Sequence, residues 1–271
     1  MDLKVFRSTW GLSGPLHTEL ERVAAAGFDG VEVLVPPFPP IDAAEQRRTV
    51  LASGLEAIPL ILSWDANRDA YRRTIDAALE YNPRQVTSHT ASDVMSDAEA
   101  LDFLAFTLDL EREIGVPINH ETHRGHIFHT SWQTARLLRA LPDLHLVADY
   151  SHWVVVAERL LEDRAEDLAL ANGHVAHIHA RVGHPQGPQV NDPRSPSNAD
   201  AVAVFEGWWK DIFRRRAASG AERITVTPEY GPPPYLPVLP FTDEPVADLW
   251  EVCLWGAAQV RHLFAEAMAD G

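Results

Sequence analysis

Five side chains able to bind a metal or carry a proton recur at near-regular intervals: His89, Glu121, Asp149, His179 and Glu229. The intervals are 32, 28, 30 and 50 residues. One strand, one helix and their connections take about 30 residues, so the first three intervals are single repeats of such a unit. The fourth is one repeat plus a long loop. Two glutamates, an aspartate and a histidine make a mixed oxygen and nitrogen donor set. That set suits Mn²⁺, Mg²⁺, Co²⁺ or Zn²⁺ and offers no thiolate to a softer ion. Taken singly, each of these residues could instead cap a helix or face solvent.

The segment NHETHRGHIFHT, residues 119–130, adds His120, His123, His126 and His129, spaced three apart. It is not the HExxH zinc helix, because Arg124 stands where the second histidine is required. Gly125 breaks the segment, so its histidines are not expected to form one ligand cluster. By strand alternation, an inward Glu121 leaves His120 pointing outward against the helices. His123 and Arg124 are expected to line the mouth of the fold, with His126 and His129 in the loop or at a helix start.

These residues need elements to position them, and the chain supplies a regular alternation. Strand-like apolar runs occupy 3–8, 30–35, 55–62, 85–89, 117–121, 144–149, 175–180 and 223–229. Amphipathic runs at helical spacing lie between them, such as LHTELERVAAAGF with its stop at Gly27. The run 97–115 begins at an Asp or Ser cap and ends on Gly115. Eight such repeats imply an α/β protein with a parallel sheet. Strand count, total length and the absence of GxGxxG after the first strand favour a closed (β/α)₈ TIM barrel over an open sheet. No compositional break divides the 271 residues, so one domain over 1–271 is expected. Two Pro- and Gly-rich stretches, 181–198 and 230–245, follow strands seven and eight and read as long loops on one rim. Residues at the ends of successive strands converge on the C-terminal mouth, where barrel active sites form.

Four short motifs now carry a resemblance: NHETH, VADYSH, HIHAR and TPEYG, at the ends of strands five to eight. They resemble the sugar phosphate isomerase/epimerase superfamily of xylose isomerase-like TIM barrels, which includes ketose 3-epimerases and inosose dehydratases. The resemblance implies that Glu121, Asp149, His179 and Glu229 bind one divalent metal ion. It also implies that His152 and Arg181 touch substrate. The substrate class would be a small sugar or polyol, and the reaction proton abstraction beside a carbonyl through an enediolate. Glu121 and Glu229, on strands five and eight, would serve as the acid–base pair as well as ligands. The same apparatus could dehydrate a keto-cyclitol of the inosose type. A non-catalytic sugar-binding barrel would be expected to have lost one of the metal carboxylates, and all are present. An AP-site endonuclease needs a D-x-H ligand pair after His179, where this chain has ARVGH. Relatives of this kind often form homo-oligomers. ETHRG and HARVGHPQGPQVNDPR depart from the loops of ketose 3-epimerases, which implies an unusual substrate. No Gly-rich phosphate loop is evident, favouring an unphosphorylated one.

Other residues have two readings each. His89 could bind a further metal or a substrate hydroxyl, or be a rim histidine. Glu32 resembles a mouth-facing glutamate of the family, or is a buried salt-bridge partner. Trp10, Trp64 and Trp153 lie just beyond strand ends and could wall the pocket or pack. His177 shares the facing of His179 one layer deeper and reads as a hydrogen-bonded core histidine. Trp208 and Trp209 read as packing residues at a helix start, and Cys253 as a buried helix thiol.

The formal charge of −16 opposes a nucleic-acid partner or an anionic membrane surface. The N-terminus shows no apolar run behind a basic start, and no segment reaches the roughly 20 apolar residues of a membrane span. A cytoplasmic protein is the resulting expectation.

Overall fold

The eight apolar runs form strands in the computed structural model, which describes residues 1–36 and 41–269. They are β1 (Asp2–Ser8), β2 (Gly30–Leu34), β3 (Glu56–Leu62), β4 (Val86–His89), β5 (Ile118–Glu121), β6 (His145–Ala148), β7 (Val175–His179) and β8 (Arg223–Thr227). Each pairs in parallel with the next, and β8 pairs with β1, so the sheet closes into a barrel. The expected (β/α)₈ architecture is the observed one. Strand limits read from the sequence agree with it to within two residues.

Among the described residues nine α-helices surround the barrel. The first five are α1 (Leu16–Ala25), α2 (Ala43–Ala52), α3 (Arg68–Leu79), α4 (Asp97–Ile114) and α5 (Ser131–Ala140). The last four are α6 (Tyr150–Ala157), α7 (Ala165–Asn172), α8 (Ala199–Ala218) and α9 (Leu249–Ala269). Sequence chemistry sets their ends. Ser96 and Glu99 form a reciprocal capping box that opens α4, and Gly115 closes it in the left-handed conformation. No helix among the described residues is long and apolar enough to cross a membrane.

Two expectations are corrected. The β6–β7 connection holds two short helices, α6 and α7, rather than one. The indole pair Trp208–Trp209 lies in the middle of α8, because that helix already begins at Ala199. Trp209 is nonetheless buried, as packing requires.

Val, Ile and Leu side chains on the outer faces of the strands meet the helices and form the main core. The barrel interior is mixed. Phe6 fills the lower part and meets the edge of the His177 ring. A Cβ at Gly30 would lie 2.3 Å from a Phe6 ring carbon, so β2 can pass that ring only without a side chain. Above Phe6, His177 bonds to Thr225 (2.6 Å) and Thr227 (3.2 Å), so it is the hydrogen-bonded core histidine expected. His120 points outward as predicted. Its ring meets Thr90 (2.7 Å) and Thr107 of α4 (3.3 Å). Cys253 is buried.

Candidate active site

Alternation along β5 and β7 sends Glu121 and His179 inward at the last residue of each strand. Asp149 and Glu229 stand just beyond β6 and β8. Asp149 also caps α6, accepting from the Ser151 amide (3.2 Å) and hydroxyl (2.5 Å). One potential ligand atom from each of Glu121, Asp149, His179 and Glu229 lies within 4.8 Å of every other, and all four residues are buried.

His179 organises the group. Its Nδ1 lies 3.4 Å from Glu121 Oε1 and 3.2 Å from Glu229 Oε2. Its Nε2 lies 2.9 Å from Glu32 Oε2, and the Thr87 hydroxyl donates to the other Glu32 oxygen (2.6 Å). Burial alone would lower the His179 pKa, but Glu229, Glu32 and Glu121 hold it well above the ordinary value. Burial would raise Glu32 and Glu121. His179 with His177, and His89 with His179, respectively outweigh it, so both carboxyls lie low. Asp149 moves the other way and is pushed up to about 7, chiefly by burial. Arg181 opposes that rise, while the nearby Glu121 and Glu229 charges add to it.

This arrangement fits a cation. Four carboxylates share the site with one guanidinium and the imidazoles. Both oxygens of Glu121 and Nδ1 of His179 are buried without an aligned hydrogen bond. Buried carboxylates facing one another are costly unless a positive charge lies between them, either the proton that His179 carries with its raised pKa or a cation that replaces it. The Glu32 carboxylate behind the His179 ring is the arrangement that orients a metal-binding imidazole.

Arg181 bonds to Asp149 through Nη2 and lies 3.3 Å from Glu229 through Nη1. His152 is fully buried and accepts from Arg181 (2.8 Å), with its ring 3.8 Å from that of His123. One of its ring nitrogens also lies within 4.8 Å of Glu121 and His123, which line the cavity, while His152 itself is not part of the cavity wall. Arg124 reaches the Tyr235 hydroxyl (3.3 Å). His89 lies 2.5 Å from Glu121 Oε2. Trp10 and Trp64 line the cavity, along with Glu32, His89, Glu121, His123, Arg181 and Glu229. Trp153 does not. It is buried, stacks on Tyr150 and donates to the Phe128 carbonyl (2.7 Å).

The four histidines of the run do not form one cluster, but two of them join His89 of β4. His123 and His126 fold back beside His89, and one ring nitrogen of each lies within 4.8 Å of the others. His126 donates to the Ala91 carbonyl (2.7 Å) and His123 to the Arg124 carbonyl (2.5 Å), both through Nδ1. A carbonyl only accepts, so each Nδ1 carries the hydrogen, and with the ring neutral each Nε2 carries the lone pair. Nε2 of His126 is buried without a partner, so this trio could hold a second cation. Burial pushes His126 down to about 4 and His123 well below its ordinary value.

Tyr235 was missed by sequence reasoning although it lines the cavity, where Trp10 meets its ring edge-on at 4.9 Å. Its signal was its place in the proline-rich stretch after β8. Ser151, which bonds Asp149, was within reach as the residue before His152 in VADYSH.

The structure of an L-ribulose 3-epimerase superposes with a TM-score of 0.62 at 16% identity, covering 99% of this chain and 97% of that one. A D-allulose 3-epimerase from Methylomonas sp. in complex with D-allulose gives 0.59 at 16% identity, with 98% and 95% covered. A xylose isomerase-like TIM barrel protein from Mycobacterium smegmatis in complex with magnesium gives 0.62 at 14% identity, with 98% and 97% covered. At these identities the likeness is one of fold. No curated protein matches the sequence. The family model of the xylose isomerase-like TIM barrel matches residues 20–239, most of the length, and this chain belongs to that family.

Proposed function

We propose that the protein is a divalent-metal-dependent sugar isomerase or epimerase that moves a proton at a carbon next to a carbonyl. The observation that carries this reading is the meeting of two cavity-lining carboxylates, Glu121 and Glu229, at Nδ1 of His179, with Asp149 completing the donor set. Glu121, Asp149, His179 and Glu229 would hold the ion. When bound, it supplies Lewis acidity for the negative charge that develops on adjacent substrate oxygens.

The remaining chemistry belongs to the side chains. Glu121 and Glu229 come from β5 and from just beyond β8, so two carboxylates approach the cavity from different strands. One takes a proton from carbon and the other returns one, which inverts or relocates the centre. Arg181 lines the cavity beside Glu229 and donates to substrate oxygens, held in place by Asp149 and His152. The retained donor set argues against a purely sugar-binding barrel. The net charge of −16 argues against a nucleic-acid substrate.

The test uses protein loaded with Mn²⁺ or Mg²⁺ and a panel of ketoses and inososes in deuterated water. Deuterium at the carbon next to the carbonyl supports the reading. Loss of water from an inosose would identify the dehydratase variant of the same proton abstraction. Failure to bind any divalent metal, or metal-loaded protein that exchanges no proton on any member, overturns it.

A further inference from the structure

The mouth of the barrel is divided into two halves. From β4 round to β8 it presents His89, Glu121, Asp149, His179 and Glu229. From β1 to β3 the cavity wall is mainly Val33, Leu34, Leu60 and Leu62, with the buried Glu32 carboxylate among them beside His179 and with Trp10 and Trp64 at the rim. The cavity between the halves has a volume of about 510 Å³. Trp10 and Trp64 are 37% and 64% exposed, so each indole offers open surface beside it, although Trp10 also meets Tyr235 and Trp64 the His126 ring.

Ser8, Thr9, Glu32 and Gln46 on the β1–β3 side each already have a protein hydrogen-bond partner. The Ser8 hydroxyl accepts from the Trp10 amide (3.2 Å), and the Thr9 hydroxyl donates to the Glu32 carbonyl (3.2 Å). Gln46 donates to the Leu34 carbonyl (3.0 Å) and to the Tyr81 hydroxyl (2.9 Å). A free sugar with its carbonyl end at Glu121 and Glu229 would send its remaining hydroxyls against leucine side chains. Each hydroxyl stripped of water there without a partner weakens binding. A flat apolar group in the same place covers the leucines and both indoles, and each covered surface strengthens binding.

We propose that the β1–β3 half of the mouth is a subsite for a flat apolar substituent, so that the substrate is a hydroxylated carbonyl compound carrying an aryl-sized group rather than a free sugar. This rests on the polar half being the reacting end, as set out above. Its test is a binding measurement that needs no turnover, so the two readings fail separately.

Calorimetry on the Mn²⁺-loaded protein compares phenyl β-D-glucopyranoside with methyl β-D-glucopyranoside, which differ only in the substituent. The phenyl compound is expected to bind about tenfold tighter. Trp64→Ala and Leu62→Gln, each checked for an unchanged melting profile, are expected to remove most of that advantage. A phenyl glucoside that binds no better than the methyl glucoside overturns the proposal. So does a preference that both variants leave intact. Absent proton exchange in deuterated water, with the phenyl preference retained, would sink the isomerase reading and leave the apolar subsite standing.

Discussion

Glu32 on β2 stands 2.9 Å from Nε2 of His179 on β7, and the other nitrogen of that ring faces Glu229 at 3.2 Å. The two residues sit on strands far apart in sequence, and only closure of the barrel brings them together. Both readings of Glu32 from the sequence therefore hold at once: it borders the cavity and it is a buried ion-pair partner. Its expected role is to fix the His179 ring with Nδ1 toward the ligand carboxylates. Glu32→Gln keeps the shape and removes the charge. Metal affinity, measured by calorimetry with Mn²⁺, is expected to fall about 10- to 100-fold. Unchanged affinity would show that Glu32 serves the fold alone.

Glu121→Gln and Glu229→Gln separate ligation from proton transfer. Each variant keeps an oxygen that can approach a cation but cannot take a proton at neutral pH. Exchange of the substrate proton with deuterated water is expected to slow by about 10²–10⁴-fold in each. A Glu229→Gln protein that exchanges as fast as the parent sinks the two-carboxylate scheme.

How far the sequence reached is clear at particular residues. The interval of about 30 residues placed Glu121, Asp149 and His179 on one rim because strand and helix lengths are limited by backbone geometry. Ser96 and Gly115 were legible as helix ends because their side-chain chemistry acts on nearby backbone. His126 was not legible. Its position depends on a hydrogen bond to the carbonyl of Ala91, 35 residues away, and no local pattern encodes that contact. The same holds for Tyr235, whose loop is placed by contacts with Trp10 and Arg124. The extra helix between β6 and β7 escaped because α6 and α7 are eight residues each and fit within one ordinary repeat.

Gly231 sets the position of Trp10. A Cβ at Gly231 would lie 2.0 Å from an indole carbon of Trp10. The backbone there cannot yield easily, since Gln189 clamps both the amide (2.7 Å) and the carbonyl (3.1 Å) of Gly231. Gly231→Ala is therefore expected to swing the indole away from the cavity wall. The tryptophan emission should shift to the red, and the preference for a phenyl over a methyl glycoside should shrink. An emission spectrum identical to the parent's would show that the ring is not displaced.

His120 links acid sensitivity to the barrel wall. Burial between β5 and α4, with the neighbouring His145 charge adding, lowers its pKa from the ordinary 6.5 to about 3. The folded state therefore holds this ring neutral, whereas the unfolded chain takes up a proton near pH 6.5. Between about pH 6.5 and pH 3 the unfolded state binds more protons than the folded one, so stability rises with pH across that window. The contribution of the neutral ring is fully present above pH 6.5 and is lost as the pH falls toward 3. One such proton corresponds to a slope of about 1.4 kcal/mol per pH unit. His120→Gln removes the titrating group while retaining partners for Thr90 and Thr107. Urea unfolding at pH 7, 6 and 5 is expected to give a shallower decline for the variant than for the parent. The buried His123 and His152 rings titrate in both proteins, so the difference in slope isolates His120. Parallel declines would mean that the His120 pocket opens to solvent before the barrel unfolds.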